Sequence, residues 1–248
     1  MAKRFKIATH HVHIEDDVEH LVAELTTHIR AAANARRQQQ RHYYLSLAGG
    51  TTPKRLYTSL AADPHFDVEL WRCFEIYFGD ERYVPHSSTD SNYHMAKLAW
   101  LDLVSIPPQQ IHPVPTHCVN IEKCVEEYNS QLNSMPKQNG IPCFDLVLLG
   151  MGDDGHTASL FPGTPVLEET RKWLASVNVT KLDSRRVTFT YPLINNAQEI
   201  IVLVTGANKA GMLKRVLHEP AANLPIQNIR NRAGVHWYVD AAAAAELT

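Results

Sequence analysis

Six short apolar segments, most of them separated by helical patterns, constrain the fold of this chain more than any other feature. They are 43–48 (YYLSLA), 74–78 (FEIYF), 144–149 (FDLVLL), 186–190 (RVTFT), 200–205 (IIVLVT) and 235–239 (VHWYV). Each is rich in branched and aromatic side chains, which suit the pleated surface of a strand. Helical patterns occupy 53–62, 92–104, 121–134 and 207–218. A longer one opens at Asp16-Asp17, where Val18, Leu21, Val22, Leu25 and Ile29 recur at three- and four-residue spacing. Several of the strand segments are apolar on both faces. Helices that intervene between such strands cover both sides of a mainly parallel sheet, so the expected fold is a three-layer α/β/α domain spanning residues 1–248.

The remaining stretches fill in around that plan. The run RRQQQR at 36–41 reads as a polar connection, and the alanine tract at 241–245 as at most a frayed terminal helix. Pro107, Pro108, Pro113 and Pro115 make 106–117 a long loop inside the domain rather than a linker, because sheet elements lie on both sides of it. Asp and Glu nearly balance Lys and Arg, giving a formal net charge of -2 with no broad cationic face, so no nucleic-acid partner is expected. The opening segment lacks the apolar core of a signal peptide and no run approaches bilayer length, which points to the cytosol without a membrane partner. Cys73, Cys118, Cys124 and Cys143 form no CxxC pair and read as free thiols. His10 and His11 would face opposite ways in an extended segment, so with His13 they read as surface or packing residues and no metal site is expected.

Ligands of an open parallel sheet bind where strands end and helices begin, because loops converge there and helix N-termini present free N–H groups. Gly49-Gly50-Thr51-Thr52-Pro53 follows the segment ending at Ala48. Two glycines let the backbone approach a ligand closely, Thr52 can cap the next helix and Pro53 suits its first position, making either a phosphate cradle or a well-capped turn. Gly79-Asp80-Glu81-Arg82 follows the segment ending at Phe78. Arg82 there is a candidate for contact with phosphate or a developing oxyanion, held by Asp80, although three adjacent charges also suit a solvated loop. Lys209 in GANK falls in the first turn of a helix, an unfavourable place for a cation unless an anion sits against it. Arg185 and Arg186 add further charge.

The turn 149–159, LGMGDDGHTAS, concentrates the chemistry. Its glycines allow a crowded turn into a helix and set Asp154 and His156 two residues apart at the start of it. A histidine in the positive field of a helix N-terminus stays neutral and can take a proton from water, while Asp154 fixes its tautomer. The alternative is a histidine that merely caps its helix. The match to GxGxxG comes late in the chain and carries carboxylates that would repel a pyrophosphate. There is no GxSxG elbow and no Walker lysine, so neither a serine hydrolase nor a P-loop enzyme is indicated.

Taken in order, GGTTP at 49–53, FGDERYVP at 78–85 with Ser91-Asn92, GMGDDGHTASLFPG at 150–163, RVTFT at 186–190 and GANK at 206–209 resemble the motifs of the glucosamine-6-phosphate isomerase/6-phosphogluconolactonase family. The resemblance spans nearly the whole chain. It implies a Rossmann-like α/β/α fold shared with glucosamine-6-phosphate deaminases and ribose-5-phosphate isomerases, and hydrolysis of 6-phospho-D-glucono-1,5-lactone without cofactor or metal. It further implies His156 as base, with Arg82, Arg186, Lys209 and the 50–52 loop on phosphate or substrate oxygens. The related deaminases carry FNEP after DGHIA, whereas Phe161 stands here where their glutamate would be. The loop before Arg186 lacks the prolines common in the family, leaving open which of Arg185 and Arg186 reaches substrate. A sugar-phosphate sensor is the non-enzymatic alternative, but no helix-turn-helix segment accompanies the domain.

Overall fold

The computed structural model describes residues 3–247, so that Met1, Ala2 and Thr248 of the expected domain lie outside the described residues. Its main sheet has eight strands: β1 (Lys3–Ile7), β2 (His10–Glu15), β3 (Tyr43–Leu47), β4 (Phe74–Phe78), β6 (Ile111–His112), β9 (Leu146–Gly150), β12 (Glu199–Val204) and β13 (Val235–Asp240). Across the sheet they run β1-β2-β13-β12-β9-β3-β4-β6, and every neighbouring pair is parallel except β1 with β2. Leu146, Val147, Leu148 and Leu149 of β9, and Ile200 through Val204 of β12, are all buried, which requires cover on both faces. Burial of each such side chain contributes about 1.5–3 kcal/mol. The parallel, doubly covered sheet is the one that the apolar segments predict.

Helix α1 (Val18–Gln38) is capped by Asp17, whose carboxylate accepts from His20 N at 2.9 Å. It buries Leu21, Val22, Leu25 and Ile29, the stripe read from the sequence. It also runs further than expected. Residues 36–38 remain helical because Arg36 pairs with Asp145 and Arg37 with Asp67 at 2.8 Å, so the arginines lie along the protein instead of forming a free polar connection. Helices α2 (Thr51–Ala62), α3 (Val68–Trp71), α4 (Asn92–Ala96), α5 (Ile121–Asn133), α6 (Tyr191–Ile194) and α7 (Ala210–His218) complete the helical set. α4 passes directly into one π-helical turn over Lys97–Leu101.

The sequence reading missed a second sheet. β5 (Asp80–Arg82), β10 (Leu174–Val179) and β11 (Ser184–Phe189) form an antiparallel unit in the order β10-β11-β5, and β7 (Lys137–Gln138) pairs with β8 (Ile141–Pro142) in a small hairpin. The segment RVTFT therefore belongs to this smaller sheet and not to the parallel one. β1 and β2 were missed because they are rich in lysine and histidine, and β10 because Ala175, Ser176 and Asn178 interrupt its apolar residues. The alanine tract is a turn, not a frayed helix. Asp240 accepts from Ala243 N at 2.7 Å and from Gly206 N at 3.0 Å, and the turn buries Ala243 and Ala244.

The strand histidines pack, as expected. His10 Nδ1 accepts from Trp237 Nε1 at 3.1 Å, while His13 stacks on Tyr238 at 4.4 Å and lies 3.1 Å from His236. Burial, with His236 beside it, brings the His13 imidazole down to about 4 from its ordinary 6.5. A histidine neutral in the fold but free to charge when unfolded stabilises above pH 6.5 and loses that contribution as pH falls towards 4. His13→Phe, which keeps the stack, should show a shallower fall in melting temperature over this window than the parent; parallel melting curves would rule the effect out.

Candidate active site

The C-terminal ends of the parallel strands share one rim. From β3 the chain proceeds towards β4 on one side, whereas from β9 it proceeds towards β12 and β13 on the other, so the connections diverge between β3 and β9. That divergence opens a crevice, the usual ligand site of such sheets. The turns after β3, β9 and β12 lie around it. Thr52 Oγ1 meets Thr205 Oγ1 at 2.6 Å, and Lys209 Nζ meets Asp153 at 2.5 Å.

Residues 151–162 are turns and not the expected helix start. Gly155 and Ala158 both take positive φ, 76° and 46°, which breaks any right-handed helix between them. Gly152 N donates to His156 O at 2.9 Å and Gly155 N to Gly152 O at 3.1 Å, folding the segment into a tight loop. The ring of His156 lies over Gly152 so closely that a β-carbon there would stand 2.0 Å from Nδ1. Glycine at 152 thus provides room for the imidazole.

His156 Nδ1 is 2.5 Å from Asp154 Oδ1, and the other Asp154 oxygen receives Lys181 from the turn between β10 and β11. With Nδ1–H donating to the carboxylate, the Nε2 lone pair is left available. Burial lowers the pKa of His156 below its ordinary value, opposed by the Asp154 hydrogen bond, so burial and not a helix dipole keeps the ring neutral. Burial also works against ionisation of Asp154, but the bonds from Lys181 and His156 outweigh it and bring that carboxyl down to about 2. On its other side the imidazole stacks against Phe161, 4.0 Å between centroids and 25° between planes. The Arg186 guanidinium lies 5.3 Å from the centre of the same phenyl ring.

Arg82 and Arg186 face each other across β5 and β11 as directly paired residues. Like charges so placed repel, and an anion bound between them would relieve the conflict. Arg82 donates to Asp90 O, yet its buried Nε has no partner. Arg186 is almost wholly buried and loses some of its basicity to that burial. Arg185 points away and pairs with Glu122 at 3.7 Å, so the cation turned inward is Arg186.

Asp80 does not clamp Arg82 as the sequence reading had it. It accepts from Ser159 Oγ at 2.6 Å and Asn92 Nδ2 at 3.3 Å, and stands 4.0 Å from Arg186. The next residue, Glu81, is also buried and accepts from Ser91 Oγ and from the backbone N–H groups of Arg82, Asn92 and Tyr93. The charged run is therefore interior, not a solvated loop. Gly49 packs so tightly on Asn92 that a β-carbon would lie 2.1 Å from its Oδ1. Gly50, at φ 108°, is the N-cap of α2; Thr52 makes no capping bond and Pro53 falls in the third helical position. Lys209 itself precedes α7, and the anion against it is Asp153, whose pKa its hydrogen bond lowers. Sequence reasoning gave no role at the site to Lys181 or Ser159, although Ser159 closes the 149–159 turn, and it marked Phe161 only by its place in the motif.

Residues 16–237 match the family described as glucosamine-6-phosphate isomerases/6-phosphogluconolactonase. The chain belongs to that family. A 6-phosphogluconolactonase of Nostoc sp. is 42% identical over 217 residues, covering 85% of this chain and 87% of its own. The structure of 6-phosphogluconolactonase from Trypanosoma brucei superposes with a TM-score of 0.82 at 32% identity, covering 96% of this chain and 98% of that one. A monomeric glucosamine-6-phosphate deaminase shares the fold, with a TM-score of 0.79 at 18% identity over 95% of this chain and 99% of that one.

Gly152→Ala should leave the fold intact but push the imidazole aside. Misplacement by about 1 Å costs on the order of 100-fold in rate, so kcat should fall by about 10- to 100-fold with little change in circular dichroism. A variant with parental kcat would show that the ring's seat over residue 152 does not matter.

Proposed function

We propose that this chain is a 6-phosphogluconolactonase, hydrolysing 6-phospho-D-glucono-1,5-lactone to 6-phosphogluconate in the oxidative pentose phosphate pathway. The relatives named for that activity support the reading at 42% and 38% identity over most of their length. The observation that carries it is the seat of His156. Its neutral ring is held by Asp154 on one edge and by Phe161 on one face, where the isomerising relatives need a carboxylate. A base without a second carboxylate partner suits addition of water better than the paired proton transfers of an aldose-ketose isomerisation.

In the proposed route the phosphate rests among Lys209, the Gly49–Thr52 turn and the N-terminus of α2, and the lactone carbonyl lies before His156. Water attacks the carbonyl carbon while His156 Nε2 takes its proton. The imidazolium is stabilised by Asp154, which stays ionised because its pKa is about 2. Charge on the tetrahedral oxygen is met by Arg186 or Arg82, whose opposed guanidinium groups favour an anion between them. The ring oxygen then leaves with the proton returned by the imidazolium, giving the open acid. Each step is supplied by water, one base and fixed cations, so the route calls for no cofactor.

The free thiols at Cys73, Cys118, Cys124 and Cys143 suit a reducing compartment, in keeping with a cytosolic enzyme. Among the described residues no helix is long and apolar enough to cross a membrane.

His156→Ala should lower kcat by about 10²- to 10⁴-fold while 6-phosphogluconate still binds. In the parent, kcat/KM should hold as pH falls to 6.5 and decline only below it, since the base must be neutral and its pKa is lowered. Near-parental turnover in the alanine variant, in an assay coupled to consumption of the lactone, would reject His156 as the base. Lys209→Ala should act chiefly on KM, and an unchanged KM would take the lysine out of the phosphate site.

A further inference from the structure

The proline-rich connection before α5 ends in a group of side chains that the lactone chemistry does not use. His117 and Cys118 are consecutive in the loop, and Glu127 lies on the second turn of α5. One donor atom of each lies within 4.8 Å of the other two. Cys118 Sγ is 3.3 Å from Glu127 Oε2, and His117 Nε2 is 4.0 Å from Glu127 Oε1. Nitrogen, sulfur and oxygen bound to zinc at about 2.0–2.3 Å in a tetrahedron stand roughly 3.3–3.8 Å apart, so one pair is already at that separation and small side-chain rotations bring in the third.

The backbone that carries these donors is held from three directions. His86 Nε2 donates to Val114 O at 2.7 Å, Tyr83 OH donates to Cys118 O at 2.8 Å, and Cys118 N donates to Pro115 O at 3.5 Å. Donors on a fixed frame lose little entropy when an ion binds. His117 and Glu127 are exposed and Cys118 half-buried, so an ion can enter from solvent. Cys124, one turn before Glu127, is wholly buried, which leaves it out of the donor set, whereas the half-buried Cys118 thiol donates to Pro115 O at 3.0 Å and gives up that bond when it deprotonates onto an ion.

We propose that His117 Nε2, Cys118 Sγ and the Glu127 carboxylate form a binding site for a zinc-class divalent cation, with water in the fourth position. A mixed nitrogen, thiolate and carboxylate set suits zinc and its borderline neighbours, not magnesium or calcium. Binding forms the metal–sulfur bond and releases the thiol proton to solvent. The ion cross-links the proline-rich connection to α5 and, through Cys118 O and Tyr83, braces the residue next to Arg82. The site lies outside the catalytic turns, so its part is structural or regulatory.

The test uses the full chain, stripped with a chelator and kept reduced by a phosphine, titrated with cobalt(II) as a spectroscopic stand-in. One equivalent should produce a near-ultraviolet thiolate-to-cobalt band that zinc displaces. Cys118→Ser should abolish the band, His117→Ala and Glu127→Gln should each weaken binding at least about tenfold, and Cys124→Ser should retain it. Zinc should raise the melting temperature of the parent but not of Cys118→Ser, and lactone turnover in all four variants should confirm that they fold. Absence of the band in the parent, its persistence in Cys118→Ser, its loss in Cys124→Ser, or undiminished affinity in either His117→Ala or Glu127→Gln would overturn the assignment.

Discussion

The carboxylate of Asp80 ties the two sheets together. It lies on β5, immediately beyond the parallel strand β4, and receives Ser159 from the turn after β9 and Asn92 from α4, with Arg186 of β11 beside it. A buried carboxylate is stable only when its oxygens are met by donors or cations, so the segments that meet them are held in a single arrangement. On the opposite face of the same short strand Glu81 does the same for the first turn of α4. Alternation along three residues thus fixes the small sheet to the rim of the large one. Without that connection Arg186 and Phe161 would have no fixed relation to His156.

Electrostatics at the rim depend on closeness that no local sequence pattern announces. The turn after β9 brings Asp153 and Asp154 to the crevice, and Lys209 and Lys181 arrive from segments on either side to pair with them. Arg82 and Arg186 are placed against each other by strand register. Burial of the imidazole between Gly152 and Phe161 keeps it neutral, and its bond to Asp154 leaves Nε2 as the available nitrogen. The ion pairs at the rim join side chains from separate elements, whereas the bond between His156 and Asp154 is made within one turn.

Much of the site was legible because a strand followed by glycines is a local signal. The turns at 49–52, 79–82, 150–156 and 206–209 do border the rim, and His156 does meet Asp154. The helix expected at 156 was illegible as a turn because Ala158, a strong helix former, takes a left-handed backbone there that only its surroundings impose. Asp80 and Glu81 read as solvated charges because burial of a carboxylate depends on donors contributed by Ser91, Asn92 and Ser159. Strands β1 and β10 escaped notice because they lie at sheet edges and keep polar residues, and β2, although flanked by β1 and β13, because three of its six residues are histidines.

Sequence alone determined the parallel sheet, since strands apolar on both faces and joined by amphipathic helices have no other stable arrangement in water. It also determined which turns border the crevice, because glycine and proline act on their own backbone. Tertiary structure decided everything that depends on two distant segments meeting: the choice of Arg186 over Arg185, the partner of each lysine, the second sheet, and the neutral state of His156. Those outcomes rest on register, burial and distance, which arise only when the chain has folded.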